Sequence, residues 1–357
     1  MATIPISQAK GIFTQKLIAT YKEQNTPTSF LRSFFTVKES DTLYISIEVQ
    51  RGTEKIAADV MRGTEGNRNT FSKSSEKIIQ PPYYREYFDA TELDFYDTLF
   101  GEGQGVVSAV KFKSWMDKII EKILMLQFKI ERRYELQAAQ VMEDGIVTLT
   151  NGDNIDFKRK ALSKVTVSTK WDSGASVPLT DIATGLKFLR TVGKAGGGTF
   201  NMICGENAIA ELLSHADIKE NANLRNYDLA FIREPQRNAV GGTLHGQISV
   251  GAYKVNLWSY PEFYDNASGV STSYLDTKKV TLLPLAPKFV MSYAGVPRLV
   301  DTPKSTGLSK AIAPTKGAFV VGRYIDERNT TDVFDIKSAG VAIPLAVDQI
   351  YTMQVLA

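Results

Sequence analysis

The chain has 357 residues, 43% of them hydrophobic and 23% charged, with a formal net charge of +3. That length predicts about two domains, and that apolar content supports a buried core, which excludes a disordered or fibrous chain. Near-neutral charge lacks the concentrated basic face of a dedicated nucleic-acid binder, and one cysteine, Cys204, excludes an intrachain disulfide framework and fits a reducing compartment.

No basic start with an apolar core and small-residue cleavage site marks a secretory signal at the N-terminus. Residues 1 to about 45 mix short apolar patches with turn residues such as Asn25, Thr26, Pro27 and Thr28, and read as an extended arm. Strand-like runs follow at Leu43–Val49 and Ile78–Phe88. Between them, Arg62 to Thr70 is polar and carries Gly63 and Gly66. The pattern predicts a two-stranded excursion with too few apolar residues for a core of its own. Isolated hairpins are marginal in water, so the loop calls for a partner surface, and a second copy of the chain is the simplest one. Arg62, Glu65, Arg68 and Lys73 near its tip are the residues expected to set register against that neighbour.

Gly101 to Gly105 reads as a hinge leading into a helix predicted over Phe112–Met142, without Gly or Pro. Apolar residues recur in steps of three or four at Trp115, Ile119, Ile123, Leu126, Ile130, Tyr134, Ala138 and Val141. At 1.5 Å per residue the helix is roughly 45 Å long. Its first half is apolar over a wide arc and its second half keeps a narrow stripe, the pattern of a helix lying on a sheet, part covered and part solvated. Ile123, Leu126 and Ile130 are expected to pack on that sheet against Ile146, Thr148 and Ile155 or Phe157, with Arg133 turned away. The longest apolar run, Ile119 to Ile130, is too short to span a bilayer and contains Glu121, Lys122 and Lys129.

Gly145 predicts a left-handed helix stop, and Asn151-Gly152 between Ile146–Thr150 and Asn154–Phe157 predicts a hairpin. A short strand at Val165–Val167 precedes Trp171 and a helix over Leu179–Val192. A Gly-rich connector then leads to a buried strand at Phe200–Cys204 and a helix at Glu206–Ser214. Strands follow at Gln247–Val250, Lys254–Trp258, Val280–Leu283 and Phe289–Tyr293, an α+β arrangement. The remainder, Gly317–Ala357, is strand-rich and is expected to return to the sheet begun by the 146–157 hairpin.

Signals for catalysis are weak. His215 and His245 have no partner at metal-ligand spacing, and Cys204 has no nearby cysteine. In Lys194-Ala195-Gly196-Gly197-Gly198-Thr199 the lysine precedes the glycines, the reverse of a phosphate loop. Gly101–Gly105 follows no strand of a βαβ unit, Glu102 and Asp117 are not poised as a pair, and Tyr83-Tyr84 reads as a packed strand end more than a base-stacking platform. Lys122, Lys129, Arg132 and Arg133 form a basic helix face. It reads as solvated and offset by Glu121, Glu131 and Glu135 at i,i+3 and i,i+4 spacing, with a DNA contact as the other reading. No enzymatic activity, cofactor or metal is expected.

The ordered set of Glu131-Arg132-Arg133-Tyr134-Glu135-Leu136-Gln137-Ala138-Ala139-Gln140-Val141-Met142, Gly145, the hairpin, Trp171, and Pro178 followed by Asp181-Ile182 resembles the lambda-type major capsid protein E family of tailed bacteriophages. Phe30-Leu31-Arg32-Ser33-Phe34-Phe35, Asp332–Ala339 and Met353–Ala357 extend the likeness to both ends, while 193–276 matches only in its order of elements. The resemblance implies the α+β Hong Kong 97-type capsid fold: an N-terminal arm (1–45), an E-loop (46–95) lying across an adjacent subunit, and a peripheral domain (96–178 and 297–357) with a spine helix at about 108–143. The axial domain would be 179–296, placing polar loops from Asp217 to Gly246 about the symmetry axes, and the peripheral sheet would combine about 145–178 with the C-terminal region. The implied function is a major head protein forming pentamers and hexamers around double-stranded DNA, assembled in the bacterial host cytoplasm and found in the virion. An encapsulin-like shell is the alternative. The implied partners are further copies of itself, scaffold, portal and decoration proteins and DNA contacted non-specifically, with no membrane. Some members of the wider fold crosslink Lys to Asn. Lys73 and Lys77 lie in the loop, but with separate decoration proteins associated with lambda-type shells, no crosslink is expected.

Overall fold

A helix of 35 residues, Ala109–Glu143 (α1), is the longest element of the computed structural model, which describes residues 26–49, 75–90, 109–149, 152–223, 230–301, 310–326 and 331–357. The helix stops at its glycine. Gly145 has φ +68°, and the N–H groups of Asp144 and Gly145 close the last turn on the carbonyls of Gln140 and Val141. A side chain at 145 would meet Arg159, whose Cβ lies 3.0 Å from the position of an added Cβ. The antiparallel hairpin Ile146–Thr148 with Asn154–Asp156 follows, with Gly152 at φ +88°.

The largest sheet has seven strands in the order Lys164–Thr166, Tyr351–Gln354, Lys279–Pro284, Thr199–Cys204, Tyr253–Ser259, Thr243–Val250, Ala230–Arg237. Its inner strands are apolar on both faces because both faces are covered. On one face Phe200, Met202, Cys204, Leu257 and Leu282 pack against Pro178–Thr191 (α2) and Glu206–Ser214 (α3). On the other, Ile203 and Leu283 join the core around the C-terminal half of α1. Pro178 opens α2, where its missing N–H costs no hydrogen bond. Gly185 lets α2 approach the sheet: an added Cβ would stand 2.6 Å from Leu282 and 2.7 Å from Tyr351.

Two three-stranded sheets lie along α1. One orders Phe35–Glu39, Phe289–Tyr293, Gly340–Pro344; the other orders Val320–Asp326, Thr331–Ser338, Tyr84–Ala90. Four points depart from the sequence reading. The C-terminal strands do not rejoin the 146–157 hairpin, which among the described residues pairs only with itself; they divide among all three larger sheets, and Tyr351–Gln354 runs parallel to Lys164–Thr166. The segment read as an extended arm is anchored at Phe30–Phe35 and exposed again from Thr36. Phe30, Leu31 and Phe35 are buried, and Phe35–Glu39 forms a parallel pair with Phe289–Tyr293. The run Ile78–Phe88 splits at Pro81-Pro82, which cannot donate to a ladder, into Ser75–Ile79 and Tyr84–Ala90. Within 217–246, where polar loops were expected, Ala216–Asn223 (α4) is helical and Ala230–Arg237 pairs with Thr243–Val250.

Candidate self-assembly elements

The described part of α1 carries the expected apolar stripe, but unevenly. Ile119, Ile130, Tyr134, Ala138 and Val141 are buried, whereas Ile123 and Leu126 are half-buried at the edge of the core. The facing strand presents Val147, not the expected Ile146 and Thr148; Val147 is fully buried and Thr148 exposed. The turn at Gly145 sets the register one residue away from the sequence reading, and a one-residue slip exchanges the two faces of a strand. Ile155 and Phe157 do pack on this core.

Glu135 is the least expected member of α1. It is fully buried, and its carboxylate accepts the backbone N–H groups of Leu31 at 2.7 Å and Arg32 at 3.2 Å, with the Arg32 guanidinium 3.4 Å away. Burial raises its pKa against the lowering effect of those N–H groups and of Arg32. The carboxylate thus satisfies the start of the 3-10 turn Arg32–Phe34, as an N-cap does, but from another element. Beside it Glu131 accepts from Arg32 at 3.4 Å. Phe30 completes the clamp, with Phe34, Trp258 and Tyr260 rings 5.3 to 5.5 Å away and Gly242 beneath it, where an added Cβ would be 2.3 Å from the ring. The arm therefore bridges the sheet hairpin tip, where Ser29 N–H donates to Val240 O, and α1.

Gln137 is buried by the same logic. It donates to Tyr84 Oη at 2.7 Å and accepts from Ala342 N–H at 3.2 Å. The basic face of α1 is solvated at Lys122 and Lys129, and three of its cations also reach other elements. Lys129 pairs with Glu86 at 2.7 Å, Lys122 stands 5.4 Å from the Phe88 ring centroid, and Arg133 donates to Thr148 O at 2.6 Å. Arg133 is thus tied to the hairpin instead of turned away.

Arg159 ties off the other end of α1. Its guanidinium donates to the carbonyls of Met142 (3.1 Å) and Glu143 (2.7 Å), to Ser163 O and Oγ, and to Thr352 Oγ1, the last three each at 2.8 Å. Burial lowers its pKa to about 10, so it remains charged at neutral pH. It offsets the negative end of the helix. In sequence it sits in Lys158-Arg159-Lys160, which has the look of a solvated charge run, with no signal that marks out the middle residue.

Among the described residues, three exposed apolar or aromatic patches bear on assembly. The outer face of the sheet containing Tyr84–Ala90 shows Tyr83, Tyr87 and Tyr324, each about half exposed, around Arg85. Arg85 and Lys337 hold the buried Asp335 at 2.9 and 3.1 Å, a carboxylate seated against Gly322. On α1, Ile120, Leu124 and Met125 are exposed. The strands Ile45–Val49 and Ser75–Ile79 pair antiparallel, with Ile79 buried against Val341 and Ile343 while Tyr44 and Ile78 face outward. These strands are the base of the predicted excursion. Arg62, Glu65, Arg68 and Lys73 lie outside the described residues.

Among the described residues no group of three or more His, Cys, Asp or Glu side chains is placed to hold a metal ion, and no described helix is long and apolar enough to cross a membrane. His215 bonds Ser176 Oγ at 3.0 Å, and His245 lies 2.7 Å from Ser259 Oγ with its pKa lowered by burial. Cys204 is buried in the seven-stranded sheet, which raises its thiol pKa.

The chain matches the family described as phage major capsid protein E over residues 13–312. No curated protein matches it by sequence. Among solved structures, the candidate capsid protein of a prophage of E. coli CFT073 is 15% identical, with 93% of this chain and 94% of that one covered and a TM-score of 0.60. The capsid of the native GTA particle is 11% identical, with both chains fully covered and a TM-score of 0.52. The holo-SrpI encapsulin of Synechococcus elongatus PCC 7942 is 12% identical over 100% and 96% of the two chains, with a TM-score of 0.49.

Proposed function

The chain belongs to the phage major capsid protein E family, and we propose that it assembles as pentamers and hexamers into the icosahedral head that encloses the double-stranded DNA of a tailed phage. Its mixed helix-and-strand fold is the Hong Kong 97-type capsid fold. The observation that carries the proposal is the family match over 13–312, which includes α1, the arm residues that it clamps and six of the seven strands of the largest sheet. On this reading the arm is 1–45, the E-loop 46–95, the peripheral domain 96–178 with 297–357, and the axial domain 179–296, with α1 as the spine helix. The particle forms in the host cytoplasm with scaffold, portal and decoration proteins. The role is structural, without catalysis or a bound cofactor.

A near-neutral chain suits a container that must admit and release its genome. A strongly cationic wall would hold DNA through counterion release. Repeated contacts between copies close by symmetry, and the E-loop tip, Arg62, Glu65, Arg68 and Lys73, supplies polar contacts with the next copy. One exposed ion pair contributes only about 0–1 kcal/mol, but a shell repeats it at every subunit.

The test is expression of the full chain, alone and with its scaffold, followed by sedimentation and negative-stain imaging. Large shells are expected; a folded monomer at every salt and protein concentration overturns the proposal, and small closed shells with a bound host enzyme turn it toward an encapsulin. Deletion of Arg62–Thr70 is expected to leave the subunit folded and to abolish stable shells.

A further inference from the structure

The outer face of the sheet Val320–Asp326, Thr331–Ser338, Tyr84–Ala90 is built around one buried carboxylate. Arg85 lies opposite Lys337, and Tyr87 and Gly322 lie on either side of Asp335, so these positions share that face. The other face stacks Phe88 on Phe334, with ring centroids 5.5 Å apart, against Ile119 of α1. Asp335 is 1% exposed. Its Oδ2 accepts from Arg85 Nε at 2.9 Å and stands 3.1 Å from Lys337 Nζ. Its Oδ1, set in the space that Gly322 leaves, is buried with no hydrogen-bond partner among the described residues. Buried acceptors in folded proteins are nearly always paired, so one copy of the chain leaves this carboxylate half satisfied.

The groups around it are fixed and rich in donors. Asp335 grips one side of the Arg85 guanidinium and leaves the remainder toward solvent, among the half-exposed rings of Tyr83, Tyr87 and Tyr324. Tyrosine and arginine are the residues that most often anchor protein interfaces, and a cation already held in one geometry loses little freedom when a partner arrives. At this end of the face two cations meet one carboxylate; Asp89 lies on the same face but at the far end of its strand. The face therefore fits a partner that brings an anion for Arg85 and an N–H for Asp335. The chain carries such a group. Of the four charged residues from Arg62 to Lys73, Glu65 is the one anion, and it stands between Gly63 and Gly66, where missing side chains let backbone N–H groups come close to a partner.

We propose that this face receives Glu65 of a second copy, its carboxylate on the outer edge of Arg85 and an N–H of the same loop on Asp335 Oδ1. The inference rests on the reading of the chain as a shell subunit and assigns the surface on which the polar loop lands. A contact between two different patches, loop on sheet, repeats from copy to copy and can close a ring.

Photo-crosslinking in assembled particles tests it. Full-length chains with Tyr87 replaced by p-benzoylphenylalanine are mixed as a minority into isotope-labelled wild-type chains, assembled and irradiated. Crosslinks from position 87 to the labelled peptide containing Glu65 are expected. Crosslinks within one chain, to another segment, to DNA or to another protein overturn the inference, as does their absence in well-formed shells. Wild-type protein that forms no shells overturns the shell reading instead. Charge exchange gives a second measure. Glu65→Arg and Arg85→Glu are each expected to lower shell yield by about tenfold or more, because like charges then meet, and the double exchange is expected to recover most of it. Arg85→Glu also disturbs Asp335, so Tyr324→Ala, which leaves that pair in place, is measured beside it; it is expected to lower shell yield at an unchanged urea midpoint of the subunit. Normal yields from both Glu65→Arg and Tyr324→Ala overturn the inference.

Discussion

Ile120, Leu124 and Met125 in the first half of α1 are 51, 43 and 43% exposed, while Glu135 and Gln137 in the second half are completely buried. By composition alone the first half is the greasier. The difference lies in what each half is given to touch. The second half lies under the arm, the hairpin and the strands Phe289–Tyr293 and Gly340–Pro344, and these supply a bonding partner for each buried polar group. A polar side chain can be buried once its hydrogen bonds are met, whereas an apolar one stays exposed until a surface arrives to cover it. Among the described residues nothing covers the stripe of the first half.

The sharpest way to break this contrast is Glu135→Leu. It strands the N–H groups of Leu31 and Arg32 and leaves Arg32 without its buried counter-charge, so a loss on the order of 3–5 kcal/mol is expected in denaturant unfolding. Glu135→Gln, which keeps an acceptor, is expected to lose less than half of that. Equal losses would show that shape, not hydrogen bonding, places this residue. Next, Ile130→Ala removes a buried side chain beside it, with an expected cost of about 3 kcal/mol read as a lower urea midpoint at unchanged slope. Leu126→Ala, at the half-buried edge, is expected to fall well below Ile130→Ala. Arg133→Ala gives up one bond to Thr148 O, about 1 kcal/mol, together with lower exchange protection in the hairpin. Smallest is Leu124→Ala, within about 0.5 kcal/mol in the isolated subunit. If the same substitution lowers shell yield, the exposed stripe is an assembly contact; an equal yield assigns it to solvent.

What could be read from the sequence was local. The helix limits, the Gly145 stop and the strand at Phe289–Tyr293 follow from periodicity and turn chemistry within a few residues. What could not be read depended on distant partners. Nothing near Glu135 announces that residues 31 and 32 will bring two N–H groups to it, and nothing in Lys158-Arg159-Lys160 separates the buried guanidinium from its exposed neighbours. The strand Lys164–Thr166 has its ladder partner at Thr352–Gln354, and parallel pairing across such a gap leaves no short-range mark. The Val147 register was lost to a single residue at the turn. The family likeness supplied the order of the elements, but not these contacts.

The bond from Arg159 to Thr352 has a consequence for how the chain is made. Its two ends are 193 residues apart, so on a ribosome the guanidinium exists long before the hydroxyl that completes its shell. At about 5–20 residues per second, that interval is on the order of 10–40 s. During it, the edge strand beside Arg159 has no ladder partner and the end of α1 is incompletely tied. A chain that has not yet reached Thr352 therefore differs, at the root of α1, from one that has: the guanidinium lacks one of its acceptors and the strand beside it lacks its ladder.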